Sequence, residues 1–426
     1  MRKSLFFVVM LALMTVVLAN PAFAAEEVQL QVNGDMVPSP ILYLDKDVTM
    51  ISADTYVRLS GADLSEAGDI FTITENGKTL SLTNGKNEAI LGGQPVALPR
   101  APLKTNGVVY VPLRVVSNAF DFEVSWDTEK RLVSLARNET RDGMTPFELL
   151  AKSTAASQSY STYSMDGNYD MALEIMADGK LVEEAPKNLA MDLTGQIQND
   201  PFQYYMVQKA NLSEAIPEMV IEMYMNGEKM YMKMPGQEWL ALEQPFSPEF
   251  WKQQQDIQSD PIKAVAQMKE MGILVNYGND ITVNGKDYYV LNAALDIDKF
   301  RESFEELFQQ SMQAVASGEE QENPAELQQQ MQKIMESAKL DYHYTVLLNK
   351  ETLISDIIKF DAKMDLTMEN PEPDTAQTDE QVPKEMRIKY DIVGEFTISG
   401  LGEPFKAPVI DNNVKDINNT QPTSNN

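Results

Sequence analysis

The chain has no cysteine among its 426 residues and one histidine, His343. The missing cysteines exclude a disulfide framework, so in an exported protein each core must be large enough to hold by itself. Positive charge is also scarce: 35 Lys and Arg stand against 64 Asp and Glu, a formal net charge of −29 and a pI near 4.4. Such a surface excludes nucleic acid and electrostatic docking on anionic lipid. The many carboxylates are no designed calcium site, because no D-x-[DN]-x-[DN]-G loop occurs, and the chain also lacks G-x-S-x-G, H-E-x-x-H and the P-loop. Acidic pairs such as Glu305-Glu306 and Glu319-Glu320 read as solvated faces. His343, alone in the strand-like Asp341-Tyr342-His343-Tyr344, reads as structural.

After Ala19 there is no apolar run long enough to span a membrane. The run before it, Leu5 to Ala19, follows Arg2-Lys3 and ends at Asn20-Pro21 and the small-x-small Ala22-Phe23-Ala24. This pattern predicts a secretory signal peptide over residues 1–25 and an extracytoplasmic, secreted or cell-surface protein. With no cysteine behind it, lipobox attachment is not expected, and no transmembrane segment is expected after cleavage.

Around Val108 to Leu135 the pattern is dense. Val109-Tyr110-Val111 alternates into Pro112, which ends a strand because it has no N–H to give. Leu113, Val116, Ala119 and Phe120 recur at helical spacing; Phe122, Val124 and Trp126 then alternate with Glu123 and Ser125. Val48 to Leu82 repeats the order of strand, short helix and hairpin, which predicts an internal duplication. The residues Tyr110-Val111-Pro112-Leu113-Arg114, followed by Val124-Ser125-Trp126-Asp127, resemble the copper amine oxidase N-terminal-like domain over about Val28 to Arg137. That resemblance implies a stalk or attachment module, with Arg114 and Trp126 as candidate partner-binding residues. For Arg114, pairing with a buried carboxylate is the preferred reading over a ligand role. Asp121 stands where the family usually has glycine. Amine oxidase chemistry belongs to a different domain and needs several histidine ligands and a tyrosine-derived quinone. With one histidine, copper oxidase activity is excluded, and no cofactor is expected.

Residues 138–144 (NETRDGM) carry no pattern and predict a linker between a domain at 26–137 and a second at 145–410. Thr145-Pro146-Phe147-Glu148 opens a helix, with Thr as cap and Pro in the first turn. Long alternating strands follow from Tyr160, interrupted by helical segments at Pro248–Gln255, Asp260–Met271, Asp298–Ala316 and from Asn323 to Met335. Glu369 to Pro383 reads as an acidic loop, and residues 411–426 as a disordered tail. The fold class is α+β: a small strand-rich domain, then a large curved antiparallel sheet with helices on its concave side. This pattern resembles the lipoprotein-carrier-like (LolA/LppX-type) half-barrels, which implies a hydrophobic hollow and no catalytic residues.

Methionine is abundant, at 25 residues. Met191, Met206, Met223, Met225, Met230, Met232, Met234 and Met364 fall in predicted strands, several at alternate positions. Thioethers line adaptable apolar surfaces, which makes these the candidate lining of a cavity for a lipid or another hydrophobic molecule. They also fit a plain core, and a copper(I) thioether site is a third reading. Three functions stay open: a non-enzymatic envelope protein that attaches through its first module, to a cell-wall or surface partner, and binds a hydrophobic ligand through its second; a purely structural wall or spore-layer protein; and a hydrolase built on carboxylates.

Overall fold

The computed structural model describes residues 28–37, 40–182, 185, 187–211, 219–226, 229–242, 257, 260–295, 299–300, 339–369, 383–410 and 414–416. The expected signal peptide, the helices at Pro248–Gln255, Asp298–Ala316 and Asn323–Met335 and the body of the acidic loop lie outside the described residues, wholly or nearly so.

In chain order the N-terminal unit runs β1 (Gln29–Val32), β2 (Asp35–Val37), β3 (Leu42–Asp45), β4 (Val48–Ser52), α1 (Ala53–Ser60), β5 (Asp63–Ala67), β6 (Ile70–Glu75), β7 (Lys78–Thr83), β8 (Glu88–Leu91), β9 (Gln94–Ala97), β10 (Leu103–Thr105), β11 (Val108–Pro112), α2 (Leu113–Ala119), β12 (Glu123–Asp127) and β13 (Leu132–Ala136). The strands form three sheets, ordered β12-β13-β1-β2, β10-β11-β4-β3 and β5-β6-β7-β8-β9. The turns follow from their residues: Asn33-Gly34, Asn76-Gly77 and Asn106-Gly107 all have positive φ, as tight hairpins require. Alternation puts Phe71, Ile73, Leu80 and Leu82 at zero exposure in one core with Leu30, Ile51, Val111, Leu113 and Val116. The two segments expected to repeat do share an element order, and their strands β4 and β11 pair with each other, Ile51 against Val111. Ser52 caps α1 by accepting from the Thr55 N–H at 3.2 Å. Asp121 takes a left-handed φ of 64°, the conformation that makes glycine usual there, and its carboxylate contacts Lys78.

The second unit runs α3 (Pro146–Ser157), β14 (Thr162–Ala177), β15 (Lys180–Leu181), β16 (Asn188–Asn199), β17 (Phe202–Asn211), β18 (Met219–Met225), β19 (Met230–Lys233), β20 (Leu240–Leu242), α4 (Pro261–Glu270), β21 (Ile273–Tyr277), β22 (Ile281–Val283), β23 (Lys286–Leu295), β24 (Lys339–Asn349), β25 (Ser355–Glu369), β26 (Glu385–Ser399) and β27 (Lys415–Asp416). All its strands join one open sheet, ordered β21-β23-β24-β25-β26-β14-β16-β17-β18-β19-β20-β27, with β15 on β14 and β22 on β23. Every pairing is antiparallel except β20 with β27. Within residues 411–426, Lys415 and Asp416 pair with Leu240 and Ala241, so that edge of β20 has a partner.

Both helices described in this unit start as their sequences predict. Thr145 and Glu148 form a reciprocal capping box, and the Asp260 carboxylate accepts from the N–H of Ile262 and Lys263. Leu149 packs with Tyr277, Tyr289, Leu291, Val346 and Leu348, so α3 covers one face of the sheet at its β21 end. The N-terminal unit sits on the opposite face. Period two in β21 separates them: Val275 belongs to the core under α3, while Leu274 belongs to the N-terminal core.

Residues 138–144 are more than a spacer. Met144 is buried, Arg141 and Met144 bridge through their backbones, and the Tyr277 hydroxyl donates to the Met144 carbonyl at 2.7 Å. A chain of ion pairs crosses here from one unit to the other. Glu75 meets Arg137, Arg137 meets Glu139 at 2.8 Å, Glu139 meets Arg141 at 2.9 Å, and Arg141 meets Asp280, which also holds Lys350 at 2.6 Å. The polar segment has no hydrophobic period because ion pairs and the single buried side chain of Met144 fasten it.

Candidate functional site

Register across the long sheet defines its two faces. One face carries Tyr163, Met165, Tyr169 and Met171 on β14, opposite Ile197, Gly195, Met191 and Leu189 on β16. It continues through Tyr204, Met206, Gln208 and Ala210 to Met225, Met223, Ile221 and Met219, then to Met230 and Met232. In the other direction it passes through Phe396, Gly394, Ile392, Tyr390 and Ile388 to Ile358, Phe360, Ala362, Met364 and Leu366. Tyr344, Tyr342 and Leu340 extend it. The other face carries ion pairs across its middle, Lys359–Glu395 at 3.2 Å, Lys389–Glu174 at 2.8 Å and Lys233–Glu222 at 3.2 Å, and an apolar patch of Tyr288, Val290, Leu347 and Ile357 toward its β23 end. Backbone alternation alone builds this division, because each strand reads apolar and polar in turn.

Seven of the eight predicted methionines stand at paired positions on the apolar face, and Met234 packs with them. The structure does not gather all eight. Met206, Met223, Met232 and Met234 share one cluster with Ile221 and Tyr204, whereas Met364 lies strands away with Leu366 and Tyr390. Met223, Met225, Met230, Met232 and Met364 are buried at 3–7% exposure, while Met191, Met206 and Met234 keep accessible surface.

The face also holds residues that the methionine pattern does not reveal. Gln208, only 8% exposed, turns its amide nitrogen to the Met191 sulfur at 3.0 Å and to the Tyr169 hydroxyl. The Tyr390 hydroxyl reaches the Met364 sulfur at 3.1 Å, and that of Tyr204 reaches the Met230 sulfur at 3.9 Å. Burial raises the hydroxyls of Tyr163, Tyr204, Tyr342 and Tyr344 above the ordinary tyrosine value, and that of Tyr169 to about 12. Yet all five residues keep part of their surface accessible, as side chains in a recess do. Their sequence signal was present: tyrosine alternates with the same period as methionine in Tyr163-x-Met165-x-Gly167-x-Tyr169. Gly394 sits under the ring of Phe360 and beside Tyr169, since a Cβ there would lie 2.5 Å from the Phe360 Cζ and from the Tyr169 Cβ.

Arg114 and Trp126 meet in the N-terminal unit. Both line a cleft of about 400 Å³ together with Leu44, Asp47, Val48, Thr49, Pro99, Pro112, Leu113, Val124 and Val133. Arg114 does not take the expected carboxylate: its Nη1 donates to the Val124 carbonyl at 2.9 Å. The guanidinium lies beside strand β12.

His343 falls between the units. Its Nε2 lies 2.6 Å from Asp341, beside Arg58, which reaches Asp361 at 3.2 Å and Asp341 at 3.5 Å. Burial pushes the Asp341 carboxyl up, but the hydrogen bond and charge of His343 and the Arg58 charge hold it below its usual value. Among the described residues no three His, Asp or Glu side chains gather as metal ligands, and no helix is long and apolar enough to cross a membrane.

These features define a two-module chain whose larger part is one open antiparallel sheet with a long apolar face. The chain belongs to the family described as a family of unknown function, DUF6612, which it matches over residues 145–398. Residues 31–135 match the copper amine oxidase N-terminal domain. Among solved structures, the Mycobacterium tuberculosis lipoprotein LppX is similar at 9% identity, covering 62% of this chain and 97% of that one with a TM-score of 0.28. A DUF1329 family protein from Desulfovibrio piger is similar at 9% identity, covering 62% and 96%, with a TM-score of 0.22. A domain described as outer membrane lipoprotein-sorting, from Vibrio parahaemolyticus, is similar at 9% identity, covering 61% and 94%, with a TM-score of 0.22. No curated protein matches the sequence. The architecture described above rests on this chain's own strand register.

Proposed function

We propose that this chain is an extracytoplasmic, non-enzymatic envelope protein that holds a hydrophobic molecule, such as a lipid, against the apolar face of its long sheet. In this reading its N-terminal unit serves attachment to a partner. The observation that carries the proposal is the long apolar face, lined by methionine and by half-accessible tyrosines, on a sheet whose other face carries ion pairs across its middle. An apolar surface with a few hydroxyl and amide groups is the make-up of a site for a hydrophobic ligand.

The test is native mass spectrometry and organic extraction of detergent-free protein, followed by titration with a fluorescent fatty acid. A bound lipid, or uptake weakened at least tenfold in a folded Met206→Glu variant, supports the reading. Met206 is chosen because it is accessible, whereas a charge at buried Met223 or Met232 would disrupt the core. A clean apo mass with no uptake overturns it. The burial of five of the eight methionines favours a second reading, a purely structural wall or spore-layer protein in which this face is plain core.

A further inference from the structure

The cleft of the N-terminal unit lies between two strand edges that no other described strand pairs. β3 is the last strand of its sheet, and β12 the last of another; Leu44 of the first and Val124 and Trp126 of the second line the same cleft. The direction of their backbone groups follows from the pairing. The Ser52 N–H donates to the Ile41 carbonyl, so Ile41, Tyr43 and Asp45 face β4, and Leu44 turns its N–H and C=O outward. On β13 the carbonyls of Arg131 and Leu135 face β1, so Leu132, Ser134 and Ala136 face β12. Val124 and Trp126 therefore point their backbone groups to the open side. The Val124 carbonyl is taken by Arg114, while the backbone N–H and C=O of Trp126 and of Leu44 have no partner among the described residues.

The side chains at these edges are apolar and accessible: Leu44 is 38% and Trp126 36% exposed. Charge adds a direction. Arg58, Arg100, Arg137, Arg141 and Arg387 each hold a carboxylate, but Arg114 holds none among the described residues. Its remaining N–H groups are complementary to an anion supplied from outside. Asp47 lines the same cleft, so that anion belongs at Arg114 and away from the β3–β4 turn.

We propose that this cleft is the receptor for an extended peptide segment of a partner protein, added as a strand to the Trp126 edge. The peptide lays an apolar side chain among Leu44, Pro99, Pro112 and Trp126 and offers a carboxylate to Arg114. Only a polypeptide presents backbone donors and acceptors at the strand repeat that the open edges require. A glycan can stack on tryptophan but cannot pair with the backbone in this way. The inference names the partner for the attachment role and rests on that reading, not on the ligand reading of the long sheet.

The test pans a phage-displayed random dodecapeptide library on the immobilised full chain, with Trp126→Asp as counter-selection, beside an array of wall-type glycans. Expected are apolar sequences carrying an acidic residue, bound at least tenfold more weakly by Arg114→Gln and lost when alternate amides of the selected peptide are N-methylated. Thermal melts confirm that both variants fold. Peptides that Trp126→Asp or N-methylation leaves bound overturn the proposal. Binding of glycan alone overturns the peptide and keeps the attachment role; binding of neither overturns both.

Discussion

Glu75 shows how one buried residue sets a property of the whole protein. Its side chain is 2% exposed, and Arg137 approaches to 2.5 Å, yet neither carboxylate oxygen receives an aligned hydrogen bond. Burial therefore outweighs the Arg137 charge and raises the carboxyl to about 7. The native state then binds a proton more tightly than the unfolded chain, whose value is 4.5. Stability falls as pH rises between those two values and is flat above them. The full effect is on the order of 3 kcal/mol, from the cost of a pKa unit. Denaturant titrations from pH 4.5 to 8 are expected to show this decline in the wild type and to lose it in Glu75→Gln. A slope that survives the substitution assigns it to another group. At the same scale, Asp121 at φ 64° bears a strain that glycine would relieve. Asp121→Ala, which keeps a Cβ and loses the short polar side chain, is expected to lower stability by about 1 kcal/mol in a thermal melt.

At the scale of elements, helix ends and strand neighbours decide stability. The capping box of α3 satisfies N–H groups that would otherwise stay unpaired at the edge of a core. Thr145→Ala is expected to cost about 1 kcal/mol. Gly61, which ends α1 at φ +79°, is a sharper case: a Cβ there would lie 1.9 Å from the Tyr277 carbonyl oxygen of β21. Gly61→Ala is expected to cost about 3 kcal/mol, from overpacking together with left-handed backbone strain. A variant that melts within a degree of the wild type would show that the two units do not meet there in solution.

For the molecule as a whole, the units are coupled by shared parts. β21 gives Leu274 to one core and Val275 to the other, and the ion-pair chain from Glu75 to Lys350 crosses the same joint. Calorimetry is expected to record one transition for both units, with Leu274→Asp splitting it in two. Two transitions in the wild type would contradict the coupling.

Much of this was legible in the residues. Caps at Ser52, Thr145 and Asp260, the Asn-Gly turns and the alternation of β14 to β26 are local events, governed by a residue and its near neighbours, and the sequence alone determined them. It also determined that methionines and tyrosines of each strand share a face, since the strand period is two. Only the tertiary structure decided what those faces meet. That Arg114 takes a backbone oxygen instead of a carboxylate, that NETRDGM is a charged joint, and that Met364 stands apart from the cluster of Met206, Met223, Met232 and Met234 all depend on sheet order. Sheet order is a matter of which distant strands pair, and no local period encodes it. The cleft between β3 and β12 is the clearest case. Its two edges come from residues some eighty positions apart, which become neighbours only once the chain has closed its core.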